Sequence, residues 1–449
     1  MRLFAFDTSP SSTQDFATHL PRALSKRAKL SALLEGELNF HGEDSGYASH
    51  DIHSFAAKFP PQLPRAFIRG LTNPGDVVLD PMMGSGTTIV EALLEDRRAI
   101  GIDIDPLALS LGRVKTIAAT PHNFLDAGNK VLTKATRLLL ERKRVEESLC
   151  QFFDARTKSF VDYWFIPETQ RELMALVLAI QDVTDKTIRR FLELTLSSII
   201  VTKSGGVSRA RDLAHSRPHL DKSKVPKNAL SHFSSRLQKN LSSLHELKND
   251  NTVPTILAGD ARLMPLADKV IDLIVTSPPY ANAIDYMRAH KFSLVWLGKS
   301  VSDLAKLRSE YIGSEHIGQS QDTELPDRPS RILRELQQRD QRKSAVLRKY
   351  FVEMKMILSE MFRVLCNDSA AIVVVGTSTM RGMDVQTHDC LADIAAELGF
   401  DVVGVSKRTL DRNKRMMPAR FGKKTDSLIE QRMHEEYVIG LLKPPISEG

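Results

Sequence analysis

The sequence predicts an α/β fold: a Rossmann-like, mostly parallel seven-stranded sheet interrupted by a helical insertion. Three observations predict it. Residues 77–103 run strand, glycine-rich loop, helix, strand, acid. Strands and helices alternate again between Thr255 and Leu442. Between Leu109 and Leu247 the apolar spacing is helical, and no stretch reads as a strand.

Residues 1–50 show little periodicity and read as a looped lead-in. Pro60-Pro61 stops any preceding helix, and Gln62 to Leu71 then has helical spacing. After the turn Asn73-Pro74-Gly75-Asp76, Val77-Val78-Leu79 is a short buried strand. Ile89 to Glu95 is helical, and Arg98 to Ile102 is the second strand. Helices are expected at 124–144, 168–182 and 186–201, followed by a flexible basic loop at 203–228. Further strands are expected at 255–257, 271–275, 370–375, 402–405 and 437–442, with helices at 345–364 and 387–398. Residues 299–344 are charged and poorly patterned, which suggests a surface excursion. The expected organisation is a lead-in at 1–50, a catalytic domain from 51–115 and 250–449, and a helical insertion at 116–249.

Composition bounds the function. Of 449 residues, 42% are apolar and 26% charged, which excludes wholesale disorder and fibrous folds. The formal charge of +7 permits a polyanionic partner without requiring one. Three cysteines, Cys150, Cys366 and Cys390, are too few for a disulfide framework or a four-cysteine zinc site, and no metal is expected. The longest apolar run, Leu173 to Ile180, is eight residues, far short of the ~18 that span a bilayer. Asp7 interrupts the N-terminal apolar run too early for a signal peptide. A cytoplasmic protein without membrane contact is expected.

The loop Met82-Met83-Gly84-Ser85-Gly86-Thr87-Thr88 joins a strand to a helix, so its backbone can approach a ligand closely. Thr87 stands where a Walker loop needs lysine, and Ile89 where a dinucleotide loop needs its third glycine. Asp103 lies 17 residues past Gly86 at the end of the second strand, where a carboxylate can accept ribose hydroxyls. Asp80 and Asp260 end the first and third strands. Three acids at consecutive strand ends suit a cofactor with an adenosine and a positive charge. Thr276-Ser277-Pro278-Pro279-Tyr280 ends the fourth strand. Two prolines remove two N–H donors, leaving a hydroxyl, carbonyls and an aromatic surface. That combination suits a planar substrate bearing an amino group.

Ser277-Pro278-Pro279-Tyr280, Asp80-Pro81-Met82-Met83-Gly84-Ser85-Gly86-Thr87-Thr88 and Lys58-Phe59-Pro60-Pro61 together resemble the exocyclic-amino DNA methyltransferases. Ser at the first loop position resembles the N4-cytosine enzymes, since Asp or Asn is more usual for N6-adenine. The resemblance spans about residues 51–115 and 250–449 and implies S-adenosylmethionine as cofactor in a Rossmann-like methyltransferase fold. It implies that Asp80, Pro81, Met82, Gly84, Gly86 and Thr87 wrap the methionine end, with Thr276 beside them. Asp103 would hold the ribose, Asp260 the adenine amine, and Lys58, Phe59 and Pro60 would close over the cofactor. Ser277 and the Pro278 carbonyl would accept the target amine's N–H groups, with Tyr280 stacking on a flipped base. The cofactor loop precedes Ser-Pro-Pro-Tyr here, the reverse of many Ser-Pro-Pro-Tyr members. Duplex DNA is the implied partner, and a cognate restriction endonuclease the implied companion.

Carbon-5 methylation is excluded, because that chemistry needs a cysteine placed after proline. Cys150 and Cys366 follow leucine, and Cys390 follows aspartate. Two basic runs are candidate phosphate contacts: 203–228, with Arg209, Arg211 and Arg217, and 407–424, with Arg412, Lys414 and Arg415. They carry +5 and +7, which leaves the rest of the chain at −5. Arg288 and Lys291, just past the Ser-Pro-Pro-Tyr loop, are further candidates. The remaining alternatives are adenine N6 or an RNA base amine as target, and a non-catalytic DNA-binding protein.

Overall fold

The computed structural model describes residues 21, 23–117, 121–202, 206–211, 218–244, 253–281, 285–314, 323–376, 378–410 and 435–445. The main sheet has seven strands: β1 (Val77–Asp80), β2 (Arg98–Asp103), β3 (Thr255–Ala258), β4 (Ile271–Thr276), β5 (Leu365–Gly376), β6 (Asp401–Thr409) and β7 (Glu435–Lys443). Their spatial order is β6-β7-β5-β4-β1-β2-β3. β7 runs antiparallel to both neighbours, and the other pairs are parallel. All seven strands coincide with those expected from the sequence. The order reverses between β1 and β4, and open α/β sheets bind ligands at that switch point, beyond the strands' carboxyl ends.

Each sheet face carries its own helices. One face, with Val78, Val275, Ile372 and Val438, is covered by α1 (Lys26–Glu35), α2 (Gln62–Leu71) and α3 (Thr87–Leu94). The other, with Leu79, Ile274, Val373 and Ile439, meets α13 (Asp327–Arg339), α14 (Gln341–Val364) and α15 (Thr387–Glu397). Neighbours in sequence therefore bury opposite faces, as the period-two geometry of a strand requires.

A third apolar cluster joins α4 (Pro106–Lys115) and helices α5 (Pro121–Leu140), α6 (Arg142–Phe152), α7 (Ala155–Trp164), α8 (Pro167–Gln181), α9 (Lys186–Ile200) and α10 (Ala229–Ser243). It continues into α11 (Tyr286–Leu294) and α12 (Val301–Glu310) through Phe292, Trp296 and Leu304. The helical layer is thus packed directly onto the chain that follows the Ser-Pro-Pro-Tyr loop.

Four expectations need correction. The lead-in contains α1, which buries Leu30, Leu33 and Leu34 and approaches β7 so closely that a Cβ on Gly440 would lie 2.5 Å from Leu34. Its three leucines are too few to show a period against a polar background. The single helix expected at 124–144 is two, broken at Glu141, whose ψ of 53° leaves the helical region. The poorly patterned stretch 299–344 holds α12 and α13, which bury only Leu304 and Pro329, Ile332, Leu333 and Leu336. The basic loop carries a short antiparallel ribbon, Ala210–Arg211 against His219–Leu220, in a region where no strand is expected. Among the described residues no helix is long and apolar enough to cross a membrane.

Candidate active site

The glycine loop leaves β1 at Asp80 and returns into α3. Gly84 and Gly86 have φ of +47° and +75°, backbone that L side chains rarely adopt, and a Cβ on Gly84 would lie 3.3 Å from the Phe55 ring. Met83 N donates to Ile102 O at 3.0 Å and Gly84 N to Asp103 Oδ2 at 2.8 Å, so the loop is tied to β2. The buried Lys115 supports it from behind, donating to Ser85 O at 2.7 Å.

A cavity of about 120 Å³ opens above this loop. Lys58, Phe59, Asp80, Pro81, Met82, Gly84, Thr87, Asp103, Asp260, Ser277 and Pro279, all expected from the sequence, line it. Pro60, Gly86, Thr276, Pro278 and Tyr280 do not. Thr276 instead donates to Asp80 Oδ1 at 2.7 Å, tying the end of β4 to the end of β1 across the switch point. Gly86 caps α3.

The carboxylates differ in environment. Burial pushes Asp80 up to about 6. Burial, reinforced by the neighbouring Asp105, pushes Asp103 up to about 7. Asp103 accepts from the Gly84 and Asp105 amides, which fixes its orientation. Burial also opposes the charge on Asp260, but the Arg262 guanidinium outweighs it and holds the carboxyl below its usual range. A site with two buried carboxylates, neither in an ion pair among the described residues, fits a ligand that brings an ammonium group and hydroxyls.

The loop's last residue is seated differently from a free stacking platform. The Tyr280 ring is 8% exposed and lies over β5, where a Cβ on Gly376 would come within 2.7 Å of it. Its hydroxyl donates to Glu436 Oε1 at 2.9 Å, and Arg408 Nη1 binds Glu436 Oε2 at 2.7 Å. The aromatic side chains that line the cavity are Phe55, Phe59, Tyr286 and Tyr311, with Phe55 and Tyr286 stacked at 5.6 Å. Sequence reasoning misses Phe55 and Tyr286, although Phe55 stands only three residues before Lys58. Glu310, Tyr311 and Ile312 also line the cavity, from the stretch that gives no sequence signal.

The strap over the cavity, residues 55–59, is anchored on both sides. Lys58 Nζ donates to His50 O at 2.9 Å. His50, Tyr47 and Arg65 converge on the fully buried Glu91 of α3 at 2.6, 2.8 and 2.7 Å. From the helical layer, Arg236 donates to the Asp51 and Ile52 carbonyls, and His53 Nε2 meets Ser197 Oγ at 2.9 Å.

The candidate phosphate contacts are dispersed. Arg217, Arg412, Lys414 and Arg415 lie outside the described residues. Arg209 donates to the carbonyl of Tyr163 at 2.7 Å, and Arg211 pairs with Asp221. Arg288 pairs with Asp285, and Lys291 lies 5.1 Å from the centre of the Phe160 ring. Lys407 and Arg408, inside the second basic run, are neutralised across the β6–β7 pair by Glu435 and Glu436.

A family model described as DNA methylase, for the N6/N4 methyltransferases, matches residues 31–112. Type II methyltransferase M.MjaII of Methanocaldococcus jannaschii is 24% identical over 353 residues, covering 60% of this chain and 65% of its own length. Type II methyltransferase M.MvaI of Kocuria varians is 22% identical over 405 residues, covering 84% of this chain and 86% of its own. DNA adenine methyltransferase YhdJ of Escherichia coli is 34% identical over 101 residues, or 22% of this chain and 34% of its own. The matched residues 31–112 carry the glycine loop and the acids that end β1 and β2, so this part of the site is similar to the DNA methylases of the N6/N4 methyltransferase family, and the likeness to type II methyltransferases extends beyond it at 22–24% identity.

Proposed function

We propose that the protein methylates the N4 amine of cytosine in duplex DNA, as the modification enzyme of a restriction-modification system in a prokaryotic cytosol. The observation that carries this is the placement of Ser277 and Pro279 on the wall of the cavity that also holds Asp80, Asp103 and Asp260. S-Adenosylmethionine supplies an activated methyl on a sulfonium, so the protein's task is alignment. Asp80 and the glycine loop would hold the methionine end, Asp103 the ribose hydroxyls and Asp260 the adenine amine. An aromatic exocyclic amine is a weak nucleophile because its lone pair is delocalised into the ring. Ser277 Oγ and the Pro278 carbonyl accept its N–H bonds, which turns the lone pair toward the cavity and stabilises the positive charge that develops there. Tyr280, clamped by Glu436 and Gly376, keeps this loop rigid, and Tyr286 and Phe55 offer the flat surface for a flipped base. The insertion at 116–249 is the proposed target-recognition region.

The likeness of 101 residues to an adenine methyltransferase favours a second reading, adenine N6, with the same acceptors and cofactor. Mass spectrometry of nucleosides from treated DNA separates the two. N4-Methylcytosine is the expected product; abundant N6-methyladenine without it selects the second reading. Ser277→Ala should lower kcat about 100-fold with little change in cofactor affinity. An unchanged kcat would remove Ser277 from the reaction.

A further inference from the structure

Arg262 does not line the cavity, yet it grips two of its walls. Its backbone N–H donates to Asp260 Oδ1 at 2.9 Å. Its Nε reaches both Asp260 oxygens at 3.0 and 2.9 Å, and Nη2 reaches Oδ2 at 2.6 Å. Nη2 also donates to Glu310 O at 3.1 Å, and Nη1 to Glu353 Oε1 at 2.6 Å. Glu353, buried on α14, accepts Gly313 N through its other oxygen at 2.9 Å. One guanidinium therefore joins the acid after β3, the chain at 310–313 and a core helix. Its planar fork sets the rotation of the Asp260 carboxylate, which a lysine could not do.

We propose that Arg262 is a positioning residue that makes the cofactor site select a 6-aminopurine. This rests on the reading of Asp260 as the partner of the adenine amine. A carboxylate locked as an acceptor rewards a 6-amino group, which donates, and opposes a 6-oxo group, which presents lone pairs. Left unpaired, Asp260 could rotate or take up a proton, and either change would admit the 6-oxo base. The ties from the guanidinium to Glu310 O and Glu353 prevent the rotation, and the adjacent positive charge prevents the protonation.

The test is calorimetric titration of the intact protein with S-adenosylhomocysteine and S-inosylhomocysteine, which differ at purine position 6. The wild-type chain should bind the adenosyl ligand at least about tenfold more tightly. Arg262→Met should bring the two affinities within about threefold and make the ratio fall further as pH drops from 7 to 5. Arg262→Lys, which keeps the charge but not the fork, should give an intermediate ratio, and it carries the comparison alone if Arg262→Met does not fold. A wild-type ratio in both variants overturns the proposal, as does an equal loss of affinity for both ligands. A wild-type chain that binds neither ligand overturns the cofactor reading itself. One that binds both equally overturns the role of Asp260 and the proposal with it.

Discussion

At the scale of single residues, the most informative group is Asp103. Its carboxyl is raised from an ordinary 3.8 to about 7, so the folded protein holds a proton that the unfolded chain gives up. Such a group contributes stability below pH 3.8, and that contribution is lost as pH rises through 7. Asp103→Asn should abolish that loss and stabilise the apoprotein at pH 8 by roughly 2 to 4 kcal/mol relative to the wild-type chain. Thermal melts between pH 5 and 8 measure it; parallel curves for the two proteins would show Asp103 ionising normally. In its proposed role this carboxylate would accept ribose hydroxyls more strongly when charged, so cofactor affinity should rise with pH up to about 7. Asp103→Ala should weaken binding by more than about tenfold in calorimetry.

At the scale of elements, the three-way junction on Glu91 matters most. Burial holds His50 down to about 4, so at neutral pH the ring is uncharged and donates one N–H to the carboxylate. Arg65 then supplies the formal countercharge at 2.7 Å. Glu91→Ala would leave these donors unpaired under the 55–59 strap and should cost about 3 kcal/mol in urea unfolding. A loss under about 0.5 kcal/mol would show that the junction is replaceable.

The elements also show what can be read from the sequence. All seven strands are legible because each contains an apolar run, β-branched in several, as in Val77-Val78-Leu79 and Ile271 to Val275. The cavity's strand-end half is legible for a related reason: Asp80, Asp103, Asp260 and Ser277 each follow a strand at its carboxyl end. What stays hidden comes from elsewhere. Tyr286 and Glu310 to Ile312 reach the cavity through the packing of α11 and α12, which no local pattern records. The seat of Tyr280 escapes the sequence because its neighbour, Gly376, is distant along the chain and leaves room for the ring only once β5 is in place.

For the whole molecule, charge distribution decides how DNA would be met. The two basic runs hold +12 against −5 elsewhere. However, Lys407, Arg408 and Arg211 already have carboxylate partners. The residues free to neutralise phosphates are accordingly fewer than the sequence total. Replacing Arg412, Lys414 and Arg415 together by Gln should reduce the slope of log K against log salt by about 2 to 3 and weaken binding to all sequences alike. An unchanged slope in fluorescence titrations would remove these three residues from the duplex contact.

The tie between Thr276 and Asp80 spans 196 positions of the chain. Everything in the helical layer is synthesised between the two strands it joins. A nascent or refolding chain can form its glycine loop early, from local contacts, but closes the β1–β4 seam only after a long loop has been gathered in. Until then the half-formed cavity has one wall. A cofactor that needs both walls would therefore bind only once this seam has closed. By mass action, a hundredfold excess of ligand over its Kd would add about 2.7 kcal/mol to the finished sheet. Cofactor supply would thereby set the protein's resistance to unfolding as well as its rate.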